Sequence, residues 1–237
     1  GIMAGTTCPA EVMKQLMGKM NMHEVTICYG MTEAAPVSAQ SSTSDSVEHR
    51  VGTVGRVHPH LEIKIVDENG KLVPRGKLGE LCVRGPQVTP GYYGQPEETA
   101  HVMTPDGFLR TGDVAVMDEL GYLRIVDRKK DMILVSGFNV YPNELEDVLA
   151  TLPGVLQCAA IGVPDEKSGE AIKVFIVVRP GESLTKEQVM EHMRSNVTGY
   201  KVPRFVEFRD SLPTTNVGKI LRRELRDQEL KKLAATA

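Results

Sequence analysis

The sequence has no tryptophan, and aromatic residues make up only 5% of its 237 positions. So few rings leave no base-stacking platform for nucleic acid, and a net charge of −3 supplies no basic field to gather phosphates. No nucleic-acid partner is expected. Long hydrophobic runs are missing too: stretches such as Val174-Phe175-Ile176-Val177-Val178 are strand-sized, against roughly 20 residues for a membrane-spanning helix. Cysteine is scarce, and Cys8, Cys28, Cys82 and Cys158 stand singly in apolar segments, without the paired spacing of a zinc site or a disulfide framework. A reducing cytosol is the expected compartment. His58-Pro59-His60 is the one close histidine pair and lacks a third ligand nearby, which argues against a metal centre there. Neither a G-x-x-x-x-G-K-[ST] loop nor a G-x-G-x-x-G turn is found.

What remains is ordinary globular composition, 41% hydrophobic and 25% charged, which excludes a disordered or collagen-like chain. The length suits one large domain or two modest ones. Gly1 to about Tyr29 reads as strand, helix, strand, with Val12, Leu16, Met17 and Met20 at helical spacing. The opening residues resemble a buried strand entered from its middle, so the chain is expected to begin inside a longer one. After a polar run at Ser41 to Ser46, short strands follow at Glu62–Val66, Leu78–Arg84 and Phe108–Arg110, with Asn69-Gly70 as a hairpin turn. This spacing predicts a small β-barrel or sandwich. The cluster Asp127-Arg128-Lys129-Lys130-Asp131 interrupts two apolar strands and is the expected domain boundary. Beyond it come a helix from Pro142, strands at Gln157–Val163 and Ala171–Val178, a helix over Lys186–Ser195, a strand at Phe205–Phe208 and a last helix opening near Lys219. That alternation predicts a compact α+β domain.

Four places could carry chemistry. Tyr29-Gly30-Met31-Thr32-Glu33 follows a strand, where α/β sheets place ligand contacts. A hydroxyl beside a carboxylate suits magnesium and phosphate, and Tyr29 could stack on a base; alternatively Thr32 is a helix N-cap and Tyr29 a packing residue. Thr111-Gly112-Asp113 ends another strand, where Asp113 suits a ribose diol or merely caps a turn. Ser136-Gly137-Phe138-Asn139 offers a bare backbone to a close neighbour or simply turns the chain. Lys219, read at the start of a helix whose dipole disfavours a cation, is either an anion ligand or a solvated lysine. The tail from Lys219 to Lys232 carries six basic and three acidic side chains, the pattern of a solvated face with weak attraction for anionic lipid.

In order and spacing these motifs resemble the acyl-adenylate-forming (AMP-binding) enzymes, and among them the bacterial long-chain fatty acyl-CoA synthetases. Tyr29 to Glu33 matches the family's Y-G-x-T-E motif. DGFLRTGDVAVMDELGYLRIVDRKK, Asp106 to Lys130, matches the fatty acyl-CoA synthetase signature, with Phe108 and Arg110 where Trp and His are usual. KDMILVSGFNVYPNELEDVL, Lys130 to Leu149, and LPTTNVGKILRREL, Leu212 to Leu225, complete the resemblance. It spans nearly the whole chain but only the rear of the family's sequence.

The resemblance implies a fold of α/β and α+β parts: residues 1–129 as the rear of a large adenylate-forming domain, an α/β unit plus a small β-barrel, joined by a hinge to a complete small mobile α+β domain over 130–237. It implies that a fatty acid, Mg2+, ATP and CoA meet here, giving acyl-CoA, AMP and pyrophosphate through an acyl-adenylate. Carried over by position, Tyr29 stacks on adenine with Gly30 beside it, Thr32 contacts phosphate, Glu33 holds Mg2+, and Asp113 and Arg128 hold the ribose. Thr6 and Thr7 fall in the adenine loop, Lys130 at the hinge, Ser136 and Gly137 at the CoA channel, and Lys219 between carboxylate and α-phosphate. The family's phosphate loop would precede Gly1, so this stretch alone is expected to be inactive. A cytoplasmic enzyme with peripheral contact at the inner membrane face is the matching location. Two alternatives stay open: an adenylating enzyme for another acid or a carrier protein, and a noncatalytic nucleotide- or partner-binding module.

Overall fold

A computed structural model describes residues 1–5, 10–216 and 218–236. The chain divides into two compact units, Gly1–Lys129 and Lys130–Ala237. The first contains β1 (Ile2–Met3), α1 (Ala10–Lys19), β2 (Thr26–Gly30), β3 (Val37–Gln40), α2 (Val47–Gly52), β4 (Arg56–Val57), β5 (Glu62–Val66), β6 (Gly79–Arg84), α3 (Pro96–Val102), β7 (Leu109–Met117) and β8 (Leu123–Arg128). Strands β1 to β4 form one sheet in chain order, parallel between β1 and β2 and antiparallel after that. Strands β5 to β8 form a second, wholly antiparallel meander.

Among the described residues this meander is an open sheet, not the expected barrel, because four short strands are too few to close around a filled interior. Its inner face packs on the first sheet: Leu81, Val83, Ala115 and Leu123 join Ile65 and Ala39 in one core. Side chains alternate along β6, so Cys82 points the other way, to Val66 and Phe108. Helix α1 buries Met13 against Val25 and Ile27 with Leu16 and Met17 alongside. Val12 and Met20, expected on that face, are exposed. The polar run ends in a helix the spacing did not reveal: Ser46 caps α2 by accepting from the His49 amide.

The second unit holds β9 (Ile133–Val135), β10 (Phe138–Val140), α4 (Pro142–Ala150), β11 (Val155–Asp165), β12 (Gly169–Val178), α5 (Lys186–Asn196), β13 (Phe205–Phe208) and α6 (Arg222–Thr236). Its sheet runs β10-β9-β12-β11, with β13 added parallel to β12. Both faces are covered, which is why β12 reads as a nearly continuous apolar run. Ile172, Val174 and Ile176 meet Leu145 and Leu149 of α4 and Val189 and Met193 of α5. Ala171, Phe175 and Val177 meet Leu225 of α6. Helix α5 opens with a reciprocal capping box between Thr185 and Gln188.

The boundary cluster is not uniformly solvated. Asp127 and Asp131 are buried, and Arg128, Lys129 and Lys130 between them are exposed. The last helix begins at Arg222 rather than near Lys219. Its polar side chains are not a simple solvated face either, since Glu229 is buried and pairs with Lys173 and Lys232.

Candidate functional site

Three separate segments converge in the first unit. After β2 the chain reverses at once: a Cβ on Gly30 would lie 1.6 Å from the Pro36 carbonyl oxygen, so only glycine fits this reversal. A 3-10 turn over Thr32–Ala34 follows and closes at Ala35 in left-handed geometry, φ 43°. Met31 occupies its cap position, and no side chain caps it; Thr32 lies inside the turn with its side chain exposed. Glu33 is fixed twice. Its carbonyl accepts from the Thr89 amide at 2.8 Å, and its Oε1 accepts from the Tyr92 hydroxyl at 2.9 Å.

The second segment is a bulge in β7. Glu80 stands opposite Val114 and Cys82 opposite Arg110, so Thr111, Gly112 and Asp113 share one facing residue, Leu81. Gly112 supplies the positive φ of 71°. The Thr111 hydroxyl donates to the Leu81 carbonyl at 2.8 Å and accepts from the Asp113 amide at 3.1 Å. Asp113 is thereby aimed at the third segment, the end of β8, where it is the register partner of Arg128. Its Oδ1 lies 3.6 Å from Arg128 Nε, and its Oδ2 accepts from the Tyr29 hydroxyl at 2.6 Å. Burial, then the Asp113 charge and hydrogen bond, push the Tyr29 phenol well above its ordinary value. The Tyr29 ring packs on the core around Ala39 and Leu81.

An open cleft of about 570 Å³ is lined by Met31, Glu33, Tyr92, Thr111 and Gly112, together with Glu80, Arg110 and Lys129. The last three escaped the sequence reading. Glu80 is 7% exposed and receives Arg110 Nη2 at 2.9 Å and Lys129 Nζ at 3.0 Å. Burial opposes its ionisation, but the hydrogen bonds from Lys129 and Arg110 override it and hold the carboxyl below its usual range. The available signal was a single acid leading the apolar run Leu81–Val83, which demands a cationic partner.

In the second unit the candidates stand on turns. Ser136 and Gly137, at φ 51° and 84°, form a two-residue reversal between β9 and β10, with Val135 opposite Phe138. Both are exposed, and a Cβ on Gly137 would meet nothing within 4 Å, so the glycine answers to its backbone angle. Lys219 closes a loop: its carbonyl accepts from the Thr215 amide at 2.8 Å and its amide donates to Thr215 Oγ1 at 3.1 Å. It precedes α6 by a bridge between Thr214 and Ile220, so the helix-dipole argument made for it does not apply. Lys130 lies in the 3-10 turn Lys129–Asp131 at the unit boundary. Thr6 and Thr7 lie outside the described residues. His58 bonds Gln40, and among the described residues no group of three or more His, Cys, Asp or Glu side chains could hold a metal by itself.

The profile of the AMP-binding enzyme family matches residues 1–93, and that of the AMP-binding enzyme C-terminal domain matches residues 144–219. The chain belongs to the AMP-binding enzymes. It is 56% identical to the long-chain-fatty-acid–CoA ligase of Yersinia pestis over 86% of this chain and 35% of that protein. It is 41% identical to the medium-chain acyl-CoA ligase ACSF2 of Rattus norvegicus over 96% of this chain and 37% of the relative. The chain thus spans about a third of the length of these relatives. Among solved structures, ATP-bound MatB from Rhodopseudomonas palustris matches with a TM-score of 0.89 at 34% identity, over 96% of this chain and 44% of that one. The o-succinylbenzoate CoA synthetase of Bacillus subtilis, solved with its acyl-adenylate intermediate, gives 0.85 at 28% identity, over 95% and 45%. No helix of the described residues is long and apolar enough to cross a membrane.

Proposed function

We propose that this chain contributes the rear of an acid–thiol ligase that converts a long-chain fatty acid, ATP and CoA to acyl-CoA, AMP and pyrophosphate. The observation that carries the reading is the convergence in one unit of Glu33, the Thr111–Asp113 bulge and Arg128, with Asp113 accepting from the Tyr29 hydroxyl and ion-paired with Arg128. These three segments carry the Y-G-x-T-E, T-G-D and D-R motifs. In the first half-reaction a carboxylate oxygen of the acid attacks the α-phosphorus of ATP and pyrophosphate leaves. In the second the CoA thiol attacks the acyl carbon, loses its proton, and AMP leaves.

Asp113 has the acceptor oxygens for a ribose diol, with Arg128 balancing its charge. Tyr29 and Gly30 border the adenine, with Thr6 and Thr7 from the adenine loop, and the exposed Thr32 hydroxyl meets a phosphate. Glu33 would hold Mg2+ together with substrate phosphates, and the ion would neutralise phosphate charge there. Lys219, on its exposed loop, brings a point cation to the carboxylate and α-phosphate as charge develops. Ser136 and Gly137 border the pantetheine chain in the second half-reaction. The two duties require the second unit to turn about Lys130 between steps. The acyl pocket belongs to the remaining length of the enzyme. Cytoplasmic action with peripheral contact at the inner membrane face would bring it to its substrate.

Pyrophosphate exchange into ATP, run on the product of the complete reading frame with short-, medium- and long-chain acids, tests the reading. Exchange that rises with chain length, and acyl-CoA formed on adding CoA, are expected. Exchange indifferent to acid length sinks the long-chain assignment, and indifference of turnover to CoA sinks the ligase.

A further inference from the structure

The Ser136–Gly137 turn is held in place by a hairpin about thirty residues further along the chain. Strand β9, which leads into the turn, pairs on one side with β10, a three-residue strand at the edge of its sheet. Alternate amides of a strand point the same way, so those of Leu134 and Ser136 leave β9 together, toward the end of the β11–β12 hairpin. There β9 and β12 share a single register pair, Val135 with Gly169. The Ser136 amide donates to the Ser168 carbonyl at 2.8 Å. The Leu134 amide donates instead to a side chain, Glu170 Oε2, at 2.7 Å. A carboxylate thus stands where a longer strand would supply a carbonyl.

Both acceptors are themselves fixed. Asp165 closes the hairpin tip: its Oδ2 accepts from the amides of Lys167 and Ser168 at 3.2 and 2.9 Å and from the Ser168 hydroxyl at 2.7 Å. Its Oδ1 pairs with Arg204. The Glu170 carboxyl rests over Gly162 of β11, where a Cβ would lie 2.5 Å from Glu170 Oε1. Gly162 is not in the left-handed region, so its bareness serves the space that the carboxyl takes and not the backbone angle.

We propose that Glu170 is a positioning residue for thioester formation, its carboxylate fixing the Leu134 amide and thereby the place of the Ser136–Gly137 turn. The inference rests on the reading above that this turn borders the pantetheine chain. A turn displaced by about an ångström misdirects the thiol, whereas adenylate formation, which makes no use of the turn, is spared.

The two half-reactions, measured separately on the product of the complete reading frame, test it. In Glu170→Ala, acyl-CoA formation from supplied acyl-adenylate should fall about tenfold, with pyrophosphate exchange within about threefold of wild type. Glu170→Gln keeps a carbonyl oxygen for the Leu134 amide and should restore thioester formation to within about threefold. Gly162→Ala leaves Glu170 in the sequence but fills the space of its carboxyl, and should reproduce the defect; it also carries the test if Glu170→Ala fails to fold. Wild-type thioester formation in Glu170→Ala overturns the proposal. So does an equal fall of both half-reactions, which would make Glu170 a general support of the fold, or a glutamine variant as slow as alanine, which would assign the effect to charge. Hydrogen exchange over residues 134–137 needs no turnover and should rise about tenfold in Glu170→Ala but not in Glu170→Gln. A wild type that forms no acyl-CoA would therefore count against the proposed function, while unchanged exchange in Glu170→Ala would count against Glu170 as the anchor.

Discussion

In the first unit Tyr29, Asp113 and Arg128 come from three strands and reach one another through side chains, with the Tyr29–Asp113 bond at 2.6 Å. In the second, Ser136, Gly137 and Lys219 sit on two exposed turns, one held to Thr215 nearby and the other also anchored by the Ser136 amide donating to the Ser168 carbonyl at 2.8 Å. The contrast separates two ways of building a site. The first unit holds a mutually supported surface, where altering one residue disturbs the rest. The second is a well-cored body that presents its candidates on turns at its surface.

The largest break in that contrast is expected from Lys219→Ala. Loss of one charge-stabilising contact should lower acyl-adenylate formation about 10²–10³-fold and leave thioester formation from supplied acyl-adenylate intact. Equal loss of both half-reactions would show that Lys219 supports its loop rather than the chemistry. Next comes a matched pair of glycines. Gly30→Ala drives a methyl into the Pro36 carbonyl and should cost about 3 kcal/mol, read as a lower denaturation midpoint with weakened nucleotide binding. Gly137→Ala meets open space and should cost only about 1 kcal/mol of left-handed strain. A comparable cost for both would erase the distinction between the units.

Between these falls an acid effect belonging to the second unit. Burial would raise the Glu207 carboxyl, but Lys173, Arg209 and Lys232 hold it at about 2 against an ordinary 4.5. Unfolded, it takes its proton first as pH drops, so its stabilisation is complete above about pH 4.5 and is lost on descending toward pH 2. With 28% of the side chain exposed, the effect is discounted to about 1–2 kcal/mol. Glu207→Gln should flatten that slope in pH-dependent urea melts of the second unit, and an unchanged slope would assign it to other carboxylates.

Much of the fold was legible because its signals are local. Strands β5 and β13 and the start of α4 coincide with apolar alternation and with Pro142 at a helix start. The misses share a cause. Helix α2 is short and polar and hid in a serine run, and β10 is three residues long and was absorbed into the Ser136–Gly137 turn. Strand spacing left barrel and sandwich both open for the four-stranded meander, because closure depends on strand number and tilt, which spacing does not encode. At the site, Glu33, Asp113 and Arg128 were legible as motifs. Glu80, Arg110 and Lys129 were not, since their importance lies in meeting each other across strands.

The sequence by itself determined the inventory: which side chains can donate or accept, and which family the motifs match. These follow from side-chain chemistry and short-range periodicity. The tertiary structure alone decided the geometry: the bulge that turns Asp113 toward Tyr29 and Arg128, the buried Glu80 between two cations, and the placement of Lys219 on a loop ahead of its helix. Each depends on strand register and on burial. Both are set by the packing of segments far apart in the chain, where an unpaired charge is too costly to remain.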